Sequence, residues 1–225
     1  MIEVQTKLDE FFNVGAHYGF SKTRRHPSAE KFIFGSKNRV DLFDLEKTQE
    51  ALEKALDFAS SIIKNNGTIL FVGGKSEAKQ IVEKYAKKVG APYVAGRWIG
   101  GTLTNWDQIR KRVDTMLDLL MQKEKGELAK YTKKERLLID RDIEKLQKMF
   151  GGITTMTVVP KALFIVDPRY EDTALREAKR LNIPIVALCG SDNNMNLVDY
   201  PIPGNDSNRA SIEFFVNKLA ESYNK

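Results

Sequence analysis

Cysteine is nearly absent from this chain of 225 residues: Cys189 stands alone. That excludes an intramolecular disulfide and any cysteine-built zinc site, and it fits a reducing cytoplasm. Histidine is almost as scarce, with only His17 and His26. A His/Cys metal site or a Cys–His nucleophile therefore has too few partners, and both histidines read as surface or core-edge residues. No apolar run approaches the roughly 18 residues that span a bilayer, so no membrane partner is expected. The opening Met1-Ile2-Glu3-Val4-Gln5 has neither a basic n-region nor an apolar h-region, so no secretion signal is expected and the expected location is cytoplasmic. Neither an internal repeat nor a low-complexity tract occurs.

What is present is enough apolar material for a core. The chain is 42% hydrophobic, with 12 Phe, 7 Tyr and 2 Trp, which excludes wholesale disorder. Net charge is +6, and its distribution matters more than its size. Residues 15–40 hold Lys22, Arg24, Arg25, Lys31, Lys37 and Arg39 against one acid, Glu30. Tyr18, Phe20, Phe32 and Phe34 are interleaved with them. Cations among aromatics suit an RNA surface, the cations meeting phosphates and the rings stacking on exposed bases. The plainer alternative is a solvated basic loop that Phe32, Ile33 and Phe34 anchor to the core.

From Leu45 the pattern becomes regular. Leu45, Leu52, Leu56, Ala59 and Ile63 recur at helical spacing, and Asn65-Asn66-Gly67 supplies a left-handed terminator. Apolar runs at 68–72, 93–94, 162–166 and 183–188, with a further extended segment at 198–202, read as buried strands. Helices are expected between them, from Ser76 as cap to about Lys88 and from Asp172 to Leu181, with a last helix capped by Asn205-Asp206-Ser207. Strands alternating with helices imply parallel β-α-β units and an α/β fold.

The alternation is interrupted at 105–150. Trp106, Ile109, Val113, Met116 and Leu120 form one helical seam, and Ile139, Ile143, Leu146 and Phe150 another. Thr132-Lys-Lys-Glu135 is a capping box opening the second helix. The pair reads as an antiparallel helical hairpin inserted into the α/β body formed by residues 1–104 and 151–225. Its charge is of mixed sign, 12 basic and 9 acidic residues, which suits a solvated face and an interaction arm rather than a chemical site.

Little in the sequence supports catalysis. Gly73-Gly74-Lys75-Ser76 sits at a strand-to-helix turn, but a Walker loop needs glycine five residues before Gly74, where Ile69 stands. Cys189 closes an apolar strand and reads as a small buried hydrophobe. Asp41, Asp44, Asp167 and Asp172 read as turn and cap residues. Ser191 and Ser207 lack a nucleophile elbow. The segment Arg97-Trp98-Ile-Gly-Gly-Thr-Leu-Thr-Asn-Trp106 is the most unusual. Either it contacts RNA through Arg97 and Trp98, or it is a tight connection with Trp98 packed and Thr104 or Asn105 capping the hairpin.

That decapeptide, with NVGAHYGFSKTRRHP, KFIFGSKNRVDLFDLEKT, TILFVGGK, FGGI and DYPIPGND in order, resembles the bacterial small-subunit ribosomal proteins of the universal S-two family from about Leu8 to Tyr223. The resemblance implies a flavodoxin-like parallel sheet with an inserted coiled-coil hairpin and no enzymatic activity. It also implies a structural place in the small ribosomal subunit, on RNA where head meets body, beside neighbouring ribosomal proteins. The messenger-capturing S-one protein is a further implied partner. On this reading Lys22, Arg24, Arg25, Lys37, Arg39 and Arg97 contact phosphate, and Trp98 either packs or stacks. Some family members hold zinc through an early histidine and two late aspartates. His17 and Asp206 match two of these, but Gly190 stands at the third position and Asp192 lies two residues beyond, so no cofactor is expected. The competing reading is a nucleotide- or phosphate-binding enzyme using the open end of the sheet. An adaptor working through its hairpin is compatible with the ribosomal one.

Overall fold

The computed structural model describes residues 2–224. Its centre is a five-stranded parallel sheet whose three inner strands are fully buried runs that only a sheet covered on both faces can shelter. In chain order the elements are α1 (Ile2–Asn13), β1 (Tyr18–Ser21), β2 (Ile33–Lys37), β3 (Val40–Phe43), α2 (Leu45–Lys64), β4 (Ile69–Val72), α3 (Ser76–Val89) and β5 (Tyr93–Val94). There follow α4 (Trp106–Glu124), α5 (Lys133–Phe150), β6 (Ala162–Val166), α6 (Asp172–Arg180), β7 (Ile185–Cys189), β8 (Tyr200–Pro203) and α7 (Arg209–Glu221). The parallel strands lie in the order β5-β4-β6-β7-β8, the flavodoxin-like order, with the chain reversing direction across the sheet between β4 and β6.

Side-chain alternation along these strands divides the core. Leu70, Val72, Leu163, Ile165 and Ile185 face α6 and the base of the hairpin, where Trp106, Ile109, Val113 and Phe150 are buried. Ile69, Phe71, Phe164, Val166 and Leu188 face the opposite way, against α2, α3 and α7. Cys189 is fully buried, and burial pushes its thiol pKa up, so it acts as a small apolar side chain.

Helices α4 and α5 run as an antiparallel pair, bridged near their connecting turn by Lys123 and Asp140 at 2.7 Å. Thr132 and Glu135 form the reciprocal capping box at the start of α5. At other helix starts the sequence expectations need correction. Lys75, not Ser76, is the residue before α3, and the Ser76 hydroxyl turns to Glu77. The last helix is capped by Asn208, whose side chain accepts from the Ala210 N–H, while Asn205 holds the preceding turn through Ser207 and Asn208. Asn105 occupies the cap position of α4, and among the described residues its side chain makes no capping bond.

Two elements were not anticipated. Helix α1 packs Phe11 against Phe214 and Phe215 of α7. The basic segment is not a loop but largely a three-stranded antiparallel sheet, order β1-β3-β2. Phe32 and Ile33 pack against the core as expected, but Phe34 points outward with 80% of its surface exposed. Asp41, expected at a turn, is a fully buried residue of β3.

Candidate nucleic-acid interface

The small antiparallel sheet is mounted on the carboxyl edge of the parallel one, the edge at which open α/β sheets bind their ligands. Three bonds to the loop after β7 fix it there. The Phe20 N–H donates to Ser191 Oγ at 2.8 Å, the His26 N–H to the Ser191 carbonyl at 2.8 Å, and the Met195 N–H to Ser28 Oγ at 2.9 Å. Within the sheet, β2 and β3 are joined by the two-residue turn Asn38-Arg39, with φ of 51° and 65°. Paired positive φ values are the signature of a type I′ hairpin, which asparagine tolerates and arginine disfavours. The Lys22 N–H donates to the Arg39 carbonyl at 2.9 Å, so the turn at Lys22–Arg24 lies against the hairpin tip. Lys22, Lys37 and Arg39 thereby come together, all exposed and, among the described residues, without an ion pair.

Arg24 and Arg25 part company. Arg24 is half exposed, lies over the Phe20 ring at 4.7 Å, and pairs with Asp192 at 3.3 Å. Arg25 turns inward, its Nε 3.1 Å from the buried Asp41 carboxylate, which also accepts from Ser36 Oγ at 2.6 Å. The charge of Arg25 is therefore committed to neutralising Asp41, an uncompensated buried carboxylate being costly.

The decapeptide loop is organised by a residue to which the sequence drew no attention. Glu177 of α6 is buried, and its carboxylate accepts from Trp98 Nε1 at 3.0 Å and from the N–H groups of Gly101, Leu103 and Thr104 at 2.7, 3.0 and 3.1 Å. The Thr104 hydroxyl adds a fifth bond at 3.2 Å. Burial works against its charge, but these donors outweigh burial and hold its pKa below the usual carboxylate value. Trp98 is only 7% exposed, so the indole packs and offers no face for stacking. Arg97, next to it, stays outside and, among the described residues, unpaired. A glutamate at an interior position of an otherwise amphipathic helix was the only sequence signal for Glu177.

The crevice where the strand order reverses is closed by the chain's own side chains. Glu171 Oε1 accepts the Gly74 N–H at 2.7 Å, the position an anion would take at a phosphate cradle. Lys75 Nζ donates to Asp167 Oδ2 at 3.0 Å and to the Asp206 carbonyl at 2.9 Å. Any side chain at position 74 would run into the Gly96 carbonyl. Burial, reinforced by the charge of Asp167, pushes Glu171 up to about 7 against the pull of the Gly74 N–H. Burial likewise lifts Asp206 to about 7, with Asp167 adding to the effect and Lys75 opposing it. Lys75 loses to burial but gains more from Asp206 and Asp167, so its pKa is raised.

The fold and the rim define the class: a flavodoxin-like α/β protein whose crevice is filled by its own side chains and whose edge carries exposed cations. Comparison with known proteins agrees. The family described as Ribosomal protein S2 matches residues 11–225. The small ribosomal subunit protein uS2c of Cyanophora paradoxa is 40% identical over 215 residues, covering 96% of this chain and 92% of that protein. The uS2 proteins of Acinetobacter baylyi and Marinobacter nauticus are 36% and 38% identical, covering 99% and 97% of this chain and 89% and 87% of theirs. The chain belongs to the ribosomal protein S2 family and is a structural, non-enzymatic component of the small ribosomal subunit. Among the described residues no helix is long and apolar enough to cross a membrane.

The zinc arrangement of some family members does not fit these residues. Gly190 offers no donor, and a Cβ there would fall 2.7 Å from Asp206 Oδ2. Asp206 is already engaged by Asn193 and Ser207. The His17 ring lies between those of Phe12 and Tyr18. Among the described residues no group of three His, Cys, Asp or Glu side chains is placed to hold a metal ion.

Proposed function

We propose that this chain binds small-subunit ribosomal RNA through the carboxyl rim of its parallel sheet, with Lys22, Lys37, Arg39 and Arg97 as phosphate contacts and Arg24 as a fifth shared with Asp192. The observation that carries this reading is the clustering of exposed cations at one edge. The bond from the Lys22 N–H to the Arg39 carbonyl, at 2.9 Å, brings Lys22, Lys37 and Arg39 together at the hairpin tip, and Arg97 lines the cleft beside the turn that holds Tyr170. The four rim cations are exposed and, among the described residues, matched with none. Unpaired cations retain condensed phosphate as their best partner and gain from counterion release.

Arg25 and Trp98 have a different part in this reading, Arg25 holding Asp41 and Trp98 seating the loop that presents Arg97. A location at the junction of head and body, contact with neighbouring ribosomal proteins and the docking of S-one belong to the same reading, supported by family membership. The α4–α5 hairpin is its second working part, an arm for neighbours in the particle.

Salt dependence of RNA binding tests the proposal. Binding to transcribed small-subunit RNA should weaken steeply with salt. Replacing Lys22, Lys37, Arg39 and Arg97 together by glutamine should lower the magnitude of the logarithmic slope by about four, roughly one per phosphate contact. An unchanged slope in the quadruple variant would remove the rim from the interface.

A further inference from the structure

Two groups of rim cations, the β1–β3 sheet and the loop at Arg97, lie on separate parts of the sequence. Between them in the structure sits the turn from Asp167 to Glu171, marked in the sequence only by Asp167 as a turn residue. We propose that this turn is a third part of the RNA surface, with Arg169 as a phosphate contact and Tyr170 as the ring on which an unstacked base rests. The inference rests on the RNA-binding reading above and extends it to residues outside the basic segment and the decapeptide.

Geometry links the turn to both groups. Arg169 Nη1 lies 2.6 Å from Asp192 Oδ2, the same oxygen that Arg24 Nη2 approaches at 3.3 Å. One buried carboxylate thus holds two half-exposed guanidinium groups side by side, leaving their outer N–H donors to solvent. Two arginines on one carboxylate retain a net positive charge, and a phosphate can accept from the planar forks of both. The remaining oxygen, Asp192 Oδ1, is buried and has no hydrogen-bond partner among the described residues. That arrangement makes poor sense as a purely stabilising pair. On the other side, Tyr170 lines one cleft of about 510 Å³ together with Arg97. The residue is 61% exposed, and among the described residues its hydroxyl makes no hydrogen bond.

The turn is also rigid, which lowers the entropy lost when a base is captured. Asp167 adopts φ of 60°, a left-handed conformation that costs an aspartate energy. Its carbonyl accepts from the Tyr170 and Glu171 N–H groups at 3.0 and 3.1 Å, and its Oδ1 from Tyr170 N–H at 3.2 Å. The Arg169 N–H donates to Asn193 Oδ1 at 2.8 Å. A rigid, exposed tyrosine flanked by arginines is the combination that RNA-binding surfaces use for single-stranded segments, and it takes the place that the buried Trp98 leaves vacant.

The test compares the full-length wild-type chain with Arg169→Gln, Tyr170→Ala and Tyr170→Phe, all at exposed positions, in titrations of transcribed small-subunit RNA over a range of salt. Arg169→Gln should reduce the slope magnitude by about one. Tyr170→Ala should weaken binding roughly ten-fold with the slope unchanged, and Tyr170→Phe should restore it, since stacking needs the ring and not the hydroxyl. A loss with Arg169→Gln but none with Tyr170→Ala overturns the stacking role. Wild-type behaviour in all three, beside a flattened slope in the rim quadruple variant, overturns this inference and leaves the RNA-binding reading standing. A wild-type chain with no salt-dependent binding removes both.

Discussion

At the scale of single residues, Arg39 and Glu177 show opposite ways of serving an interface. Arg39 sits where a hairpin prefers glycine, at φ of 65°. Left-handed backbone costs a non-glycine residue about 1 kcal/mol. Arg39→Gly should therefore raise stability by about 0.5–1 kcal/mol in urea unfolding while lowering the RNA salt slope by about one. A drop in stability would show that the arginine side chain supports the turn. Glu177 never meets the RNA in this account but holds the loop that carries Arg97. Glu177→Ala leaves the Trp98 indole and three backbone N–H groups without their acceptor, for a cost of about 3 kcal/mol. Thermal unfolding should fall by roughly 6–12 °C in a chain of this size. Arg39 stood among the expected phosphate contacts, but neither its place in a tight hairpin turn nor the part of Glu177 was legible beforehand. The turn Asn38-Arg39 lacks the glycine that marks a hairpin, so two short alternating runs passed for one basic stretch. Glu177 looked like any charge on a helix because its donors arrive from a loop more than seventy residues earlier.

At the scale of elements, the sequence was most legible where apolar runs or helical seams are long. All five parallel strands and the alternation with helices α2, α3, α6 and α7 could be read, since buried runs of Val, Ile, Leu and Phe have little other use. The hairpin could be read from its two seams and from Thr132-Glu135. Helix starts were read less well, because a serine or asparagine near the boundary fits a cap at several positions and tertiary contacts choose among them. Thr132→Ala should cost about 1 kcal/mol and act locally. Amide exchange should speed up in the first turn of α5 while the strands β4, β6 and β7 keep their protection. Equal acceleration throughout would mean that the hairpin and the body unfold as one unit. Helix α1 and the antiparallel sheet went unread because each depends on a partner distant in sequence: Phe214 and Phe215 for the first, the loop at Ser191 for the second.

At the scale of the whole molecule, the fold retains the crevice in which its class binds ligands but fills it from within. Glu171 occupies the glycine turn and Lys75 bridges Asp167 and Asp206. The consequence should appear in the pH dependence of stability. Glu171 has a folded pKa of about 7, above its ordinary value of 4.5. A carboxyl group raised in this way favours the folded state while protonated, and that contribution is lost as pH rises through about 7. Wild-type stability should therefore decline between pH 5 and 8, and Glu171→Gln, which keeps an acceptor for the Gly74 N–H, should flatten the decline by about 2–3 kcal/mol. Parallel profiles for wild type and variant would show that the carboxylate is already ionised in the folded chain.

With the crevice closed, what the α/β body has to offer RNA is its rim, and the central claim is that the rim faces RNA. Crosslinking of intact small subunits, followed by mass-spectrometric mapping of the RNA-bound peptides of this chain, addresses that claim most directly. The account predicts crosslinks within residues 18–40, at the loop around Arg97 and at the turn holding Arg169 and Tyr170. Crosslinks confined to the outer faces of α2, α3 and α7, with the rim free of RNA, would contradict it.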